Sequence, residues 1–194
     1  MSTTPKDKEK NRILTPPFRM SFPAVFKPKA PFAGQEPCYN IQMLFPKNAD
    51  LTALKNKIKE VAKETWPQGI PKTFRQPLRD GAEKQLDSYK DMIFANAKSK
   101  MKPGVVDKDL NEIVDPAEVY AGRWARAKIS VFSYNKAGNM GVAFGLENLQ
   151  ILKHDEAFSG RKNAKDDFDK IEELEGDESF TDSSSDDAAL GMDF

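Results

Sequence analysis

The chain has one cysteine, Cys38, and one histidine, His154, among 194 residues. A lone thiol excludes an intrachain disulfide and a zinc site of several thiolates. A lone imidazole excludes multi-histidine metal centres and leaves little material for histidine-based catalysis. No apolar run approaches the roughly 20 residues a membrane-spanning helix needs, and the opening MSTTPKDKEKNR is charged with no apolar segment behind it to make a signal peptide. The acidic residues of the body are scattered, which speaks against a two-metal nuclease centre. The expectation is a soluble intracellular protein that is not an enzyme, holds no cofactor or metal and meets no membrane.

Net charge is missing too, because 30 Lys and Arg balance 30 Asp and Glu. The balance hides a partition. Residues 166–194 hold 12 acidic residues and one basic residue, Lys170, whereas residues 1–165 hold 18 acidic and 29 basic, so the two parts carry −11 and +11. A positive body implies an anionic partner. A Ser-rich acidic block poor in aliphatics buries too little apolar surface to fold alone. The expected organisation is a disordered N-terminus over 1–11, a folded domain over 12–160 and an acidic tail over 161–194, with a short helix around Phe168, Ile171 and Leu174 at the root of the tail.

Strand patterns dominate the body. In ILTPPFRMSFPAVF, Leu14, Phe18, Met20 and Phe22 share one parity, but Pro16, Pro17 and Pro23 lack the donor a central strand needs, so an edge or broken strand is predicted. Tyr39, Ile41, Met43 and Phe45 alternate with polar neighbours and complete a hairpin across a basic Pro/Gly loop that contains Lys27 and Lys29. One helix is clear, with Asp50 as its N-cap, Leu51, Leu54, Ile58, Val61 and Ala62 at helical spacing, and an end near Trp66. Its lysines read as a solvated face. The stretch PQGIPKTFRQPLRDG is too rich in Pro and Gly for regular structure; a loop of that length inside a domain often has a job, and Lys72, Arg75, Arg79, Trp66 and Phe74 suit binding. A strand follows at Asp91–Lys98, then a small hairpin pairing Val105 and Val106 with Ile113 and Val114. The longest strand runs from Tyr120 to Tyr134, and a last one from Gly141 to Leu152 carries a bulge near Glu147. Five main strands, one helix and an added hairpin predict a mostly β fold, a small barrel or curled sheet.

The segment YAGRWARAKISVFSY separates two chemistries by parity. Ala121, Ala125, Ala127, Ile129 and Val131 are small and apolar, interrupted by Arg123. Tyr120, Trp124, Arg126, Lys128, Phe132 and Tyr134 interleave rings with cations on the other face. A solvent face with that many aromatics is costly unless something covers it. The Asp91–Lys98 strand repeats the arrangement: Ile93, Ala95 and Ala97 oppose Met92, Phe94, Asn96, Lys98 and Lys100. If these strands are neighbours, their outer faces form one basic, aromatic surface. Single-stranded nucleic acid suits such a surface, because bases stack on rings for roughly 1–3 kcal/mol each and cations track phosphates, with no sequence being read. The competing assignment puts Trp124, Phe132 and Phe94 in the core; Arg126 and Lys128 weigh against it, since unpaired cations are rarely buried. Cys38 reads as a structural thiol, and His154 beside Asp155 and Glu156 as surface.

Three segments, TPPFRMSFPAVF, AGRWARAKISVFSY with GVAFGLENLQIL, and the acidic end DDAALGMDF, together resemble the OB-fold family of single-stranded DNA-binding proteins of tailed enterobacterial phages. The resemblance spans about Thr15 to Ile151 and then the tail. It implies a five-stranded OB barrel whose groove holds single-stranded DNA, with no catalysis, in the cytoplasm of an infected bacterium during replication, recombination and repair. Stacking then falls to Tyr120, Trp124, Phe132, Tyr134 and Phe94. Phosphate neutralisation falls to Arg123, Arg126, Lys128, Lys98, Lys100, Lys102, Arg75, Lys27 and Lys29. The tip of the tail, Asp186, Asp187, Leu190, Met192, Asp193 and Phe194, is acidic and apolar at once, and in the relatives such tips contact replication and recombination enzymes. The rival readings are an RNA chaperone or general annealing protein, and a virion or assembly protein that uses the basic face for protein contacts. The long loop over 67–88 and the helix before the third strand depart from the simplest OB plan.

Overall fold

The computed structural model describes residues 10–30, 33–136 and 138–158. The chain divides into two units, 1–161 and 162–194, and every described residue belongs to the first. The expected acidic tail, its root helix and its tip lie outside the described residues, as does most of the N-terminal arm.

Among the described residues nine strands and the α-helix α1 follow in the order β1 (Arg12–Leu14), β2 (Phe18–Lys29), β3 (Cys38–Pro46), α1 (Thr52–Thr65), β4 (Phe74–Arg75), β5 (Arg79–Asp80), β6 (Met92–Ser99), β7 (Gly104–Val106), β8 (Trp124–Lys136) and β9 (Asn139–Lys153). Five of them close a ring. β2 pairs antiparallel with β3, β3 with β6, β9 with β8, and β8 with β2. The remaining link, β6 to β9, is parallel. This is the OB plan.

The ring fixes several expectations about the strands. β2 is broken, as expected: Phe18 and Arg19 lie between β8 and β3, whereas beyond them the ladder continues with β3 alone and shifts register between Ser21 and Ala24, where Pro23 sits and no ladder donor is required. The shift also breaks the parity read from sequence. Phe18 and Met20 are fully buried, but Phe22 has φ 46° and is 61% exposed. The bulge in β9 does fall at Glu147, since Lys128 faces Asn148 while Ile129 faces Leu146. The hairpin expected around 105–114 is present but short, with an antiparallel bridge between Val106 and Glu112 flanked by the Ile113 N–H to Val105 carbonyl and Asp107 N–H to Asn111 carbonyl bonds, both 2.9 Å, and β7 also pairs in parallel with β9. The loop after α1 contains β4, β5 and 3-10 turns at Gly81–Lys84 and Asp87–Tyr89.

The core lies inside the ring and under α1. Ala125, Ala127, Ile129 and Val131 of β8 point inward, as their parity requires, and meet Ile41, Met43, Phe45, Ala95 and Ala97 from the opposite strands. Phe18 and Phe45 pack edge to face at 5.6 Å. Full burial of side chains of this size is worth roughly 1.5–3 kcal/mol each. Helix α1 buries Leu54, Ile58, Val61 and Ala62. The N-cap is Leu51 and not the expected Asp50, which stands one residue earlier; its carboxylate accepts the Thr52 N–H at 2.9 Å, and hydrogen bonding from the Thr52 side chain and then its backbone holds this carboxyl below the usual range. The helix ends at Trp66, whose N–H bonds the Ala62 carbonyl, because Pro67 offers no donor to continue it.

A second, smaller cluster covers part of the outer surface. Leu44, Tyr89 and Phe94 are fully buried there, with the Tyr89 and Phe94 rings edge to face at 5.8 Å. The Tyr89 hydroxyl is hydrogen-bonded to Ser21 Oγ at 2.9 Å and to Gln42 Oε1. The segment 81–91 thus caps the outer face of β3 and β6 at one end and leaves it open at the other.

Candidate nucleic-acid interface

Pairing registers draw a line across the open part of the outer face. Asn40 of β3 lies opposite Lys98 of β6, Lys98 opposite Gly145 of β9, Gly145 opposite Ser130 of β8, and Ser130 opposite Arg12 of β1. Beside this line a cleft of about 690 Å³ opens, walled on one side by Phe132 and Tyr134 and on the other by Asn96 and Lys98, with Arg75 and Gln76 at one end. Its floor is β9, where Gly141, Ala143 and Gly145 share the outward parity. At Gly145 a Cβ would stand 2.4 Å from Ser130 Oγ and 3.6 Å from the Phe132 ring; at Gly141, which is buried under β4, it would stand 2.5 Å from the Arg75 carbonyl oxygen and 2.9 Å from the Tyr134 hydroxyl. The absence of side chains lets the groups of β8 lean across β9 and sinks the floor between the rings and the lysine. Phe132 stays 46% exposed on this face.

The cleft is electropositive. Among the described residues neither Lys98 nor Arg75 meets a carboxylate, so both charges are available to an anion. At the rim Lys100 pairs with Glu36 at 2.8 Å, which lowers the carboxyl and raises the amine, and the positive charge of Lys136 also bears on Glu36. Lys27 and Lys29 stand exposed at the far end of β2. Lys102 lies over the Phe26 ring at 5.7 Å. Along β8 beyond Ser130, Lys128 is half-buried on the same outer face, and Arg126 donates from Nε to Gln150 Oε1 at 2.6 Å.

Four expected site residues are placed elsewhere. Phe94 is fully buried beneath Tyr89, with Arg79 and Lys84 over its ring, so no base reaches it. Arg123 is buried, and its guanidinium bonds the Glu118 carbonyl and carboxylate and His154 Nε2, which takes it out of phosphate contact. Tyr120 precedes β8; its ring stacks on His154 and its hydroxyl lies 3.1 Å from His154 Nδ1 and from the Asp155 carbonyl. Trp124, at the start of β8, donates its indole N–H to Asp155 Oδ2 at 2.6 Å and carries the Lys153 ammonium 5.1 Å from its ring centre. That hydrogen bond, followed by the Glu156 N–H, keeps the Asp155 carboxyl below its ordinary range. β6 and β8 are not neighbours either: β9 runs between them and supplies the floor.

Sequence reasoning missed the floor, and of the end wall it named Arg75 and Arg79 but not Gln76. The signal for the floor was present, since GVAFGL places Gly141, Ala143 and Gly145 on one parity. Gln76 and Arg79 sit in a segment whose β4 and β5 pairings, to β9 and β6, are too short to leave a periodic trace. Among the described residues no group of three or more His, Cys, Asp or Glu is placed to hold a metal ion, and no helix is long and apolar enough to cross a membrane.

The five-stranded ring with an open, basic and aromatic outer cleft defines an OB-fold protein. The chain belongs to the family described as Enterobacter phage Enc34, ssDNA-binding protein, whose model matches residues 11–180. It is 27% identical over 173 residues to putative protein p50 of Acyrthosiphon pisum secondary endosymbiont phage 1, covering 82% of this chain and 94% of that one. The fold is similar to the single-stranded DNA-binding protein from bacteriophage Enc34 in complex with ssDNA, with a TM-score of 0.68, 22% identity, and coverage of 78% of this chain and 91% of that one. It is also similar to gp2.5, a single-stranded DNA-binding protein encoded by bacteriophage T7, with a TM-score of 0.59 at 14% identity over 78% of this chain and 97% of that one.

Proposed function

We propose that the outer cleft binds single-stranded DNA without reading its sequence, and that the protein coats exposed strands during phage replication, recombination and repair in the infected cell. The observation that carries this reading is the juxtaposition of Phe132 and Tyr134 with Lys98, Arg75 and Asn96 across the floor of Gly141, Ala143 and Gly145. Unpaired bases have free π-faces for the rings, and the cations lie where a backbone running beside those rings carries its phosphates. A duplex keeps its bases stacked inside and has none to offer. From the cleft the path continues over Ser130 toward Lys128 and Arg126 on the same face of β8, and at the other rim toward Lys100. The family of the chain supports the same reading. The acidic tail, outside the described residues, then serves as a partner-binding and competing anionic segment, as its composition suggests.

Fluorescence anisotropy of a labelled oligothymidine titrated with the full chain tests the proposal. The expected result is saturable binding whose affinity falls with salt by roughly 0.7 log unit per log unit for each phosphate neutralised, with weaker binding to duplex of the same length. Binding that ignores salt, or that favours duplex, overturns it.

A further inference from the structure

A second concavity lies behind the wall of the DNA cleft. It has a volume of about 590 Å³ and opens between α1, the segment 70–80 and β6. Its interior is formed by Ile58, Ala62, Ile70, Phe74, Leu78 and Ile93, and cations stand around its mouth: Lys47, Lys55, Lys59 and Arg79. Ile70 is 54% exposed although its neighbours in the cleft are aliphatic or aromatic. Phe74 is fixed there by its edge-to-face contact with Trp66 at 5.6 Å.

The charges around the mouth are loosely committed. Lys55 and Lys59 make no ion pair among the described residues. Lys47 pairs with Asp80 at 3.3 Å and Arg79 with Glu83, both at the surface where such pairs are weak. Nucleic acid is a poor occupant, because an interior of branched aliphatics offers almost nothing to the polar edges of a base, and burying them unpaired is costly. A single-headed amphiphile such as a fatty acid uses one cation and leaves the others idle. A short peptide in which acidic and apolar residues alternate uses both features. Lys55 and Lys59 are one helical turn apart, about 5–6 Å between their Cβ atoms, close to the roughly 6.6 Å that separates alternate residues of an extended chain.

We infer that this concavity is a docking site for an acidic, apolar segment of a partner protein, distinct from the DNA cleft and sharing a wall with it. The shared wall is the segment that carries Gln76 and Arg79, which line both. A partner held there stands beside the bound strand without covering the rings of Phe132 and Tyr134.

The test uses the full chain and a fluorescein-labelled, amide-capped peptide of sequence Asp-Leu-Asp-Phe-Asp-Leu, followed by anisotropy at about 0.1 M salt, where the screening length is about 10 Å. Saturable binding is expected. It should weaken at least tenfold in the double variant Lys55→Ala, Lys59→Ala, at least tenfold in Ile70→Ser, and at least tenfold when Asn replaces Asp in the peptide. The double variant should bind oligothymidine within about twofold of the parent, which shows that its fold and cleft are intact. No saturable binding to the full chain, equal affinity in the variants, or complete displacement of the peptide by oligothymidine overturns the inference. Loss of oligothymidine binding with peptide binding retained would overturn the proposed function and leave this site standing.

Discussion

The two ends of β8 carry the same kinds of residue and treat them in opposite ways. At its C-terminal end Phe132 and Tyr134 lean over a floor without side chains, face Lys98, and have no partner that closes them off. At its N-terminal end Trp124 and Arg123 are clasped by the segment 153–158: Asp155 takes the indole N–H, Lys153 covers the ring, and His154 and Glu118 hold the guanidinium. Arg19 completes the clasp with bonds to the Gly122 and Glu156 carbonyls and its guanidinium 4.5 Å from the centre of the Phe158 ring. Rings and cations interleaved on one face are therefore open to a ligand only where the neighbouring strand leaves them room. On β9 that room comes from Gly141, Ala143 and Gly145, and it is lost where the strand runs on into Lys153 and Asp155.

The largest difference between the two ends should appear in DNA affinity. Each stacked base is worth roughly 1–3 kcal/mol, so Phe132→Ala with Tyr134→Ala should weaken oligothymidine binding by well over tenfold, whereas Trp124→Ala should change it less than about threefold. Anisotropy titrations of both variants against one oligonucleotide decide the matter, and a larger loss in the Trp124 variant would reverse the assignment of the two ends. The cations follow the same division. Lys98→Ala and Arg75→Ala should each flatten the slope of log affinity against log salt by roughly 0.7, while Arg123→Met should leave the slope untouched. The cost of Arg123→Met should appear in stability instead: losing charged hydrogen bonds costs roughly 1.5–3 kcal/mol apiece before compensation, and the Nε that has no partner in the parent offsets part of that. A fall of several degrees in the thermal midpoint, with the salt slope preserved, is expected.

Much of this was legible in the residues. The alternation in β8 divided inward alanines from outward rings, and the inward set is buried as its parity required. The bulge at Glu147 announced itself as a change of apolar parity, and α1 by its spacing. Two of the errors share one cause. Parity tells which face a side chain takes, but not what covers that face. Phe94 points outward from β6 as expected and is buried because the segment 81–91, irregular in sequence, folds over it. Arg123 broke an apolar series and was read as a free cation; it is held by Glu118, five residues earlier, through a turn with no periodic signature. Phe22 kept the parity of β2 on paper and lost it at the bulge beside Pro23.

The smallest effect concerns the clasp and acid. Trp124, the Glu156 N–H and the nearby Arg19 all favour the ionised form of Asp155, so its carboxyl is held below the ordinary 3.8 in the folded protein. A depressed carboxyl contributes stability that is present above its unfolded value and is lost as pH falls through the folded one, since the unfolded chain then binds the proton first. Urea unfolding followed between about pH 6 and pH 3 should therefore show a slightly steeper acid loss in the parent than in Asp155→Asn. The difference should be on the order of 0.5 kcal/mol or less, because a partly exposed pair is screened by solvent. Oligothymidine binding at neutral pH should be equal in the two proteins, since the clasp lies at the end of β8 away from the cleft. Identical acid limbs would mean that the indole bond does not persist in solution, and Trp124 would return to the list of rings free to meet a base.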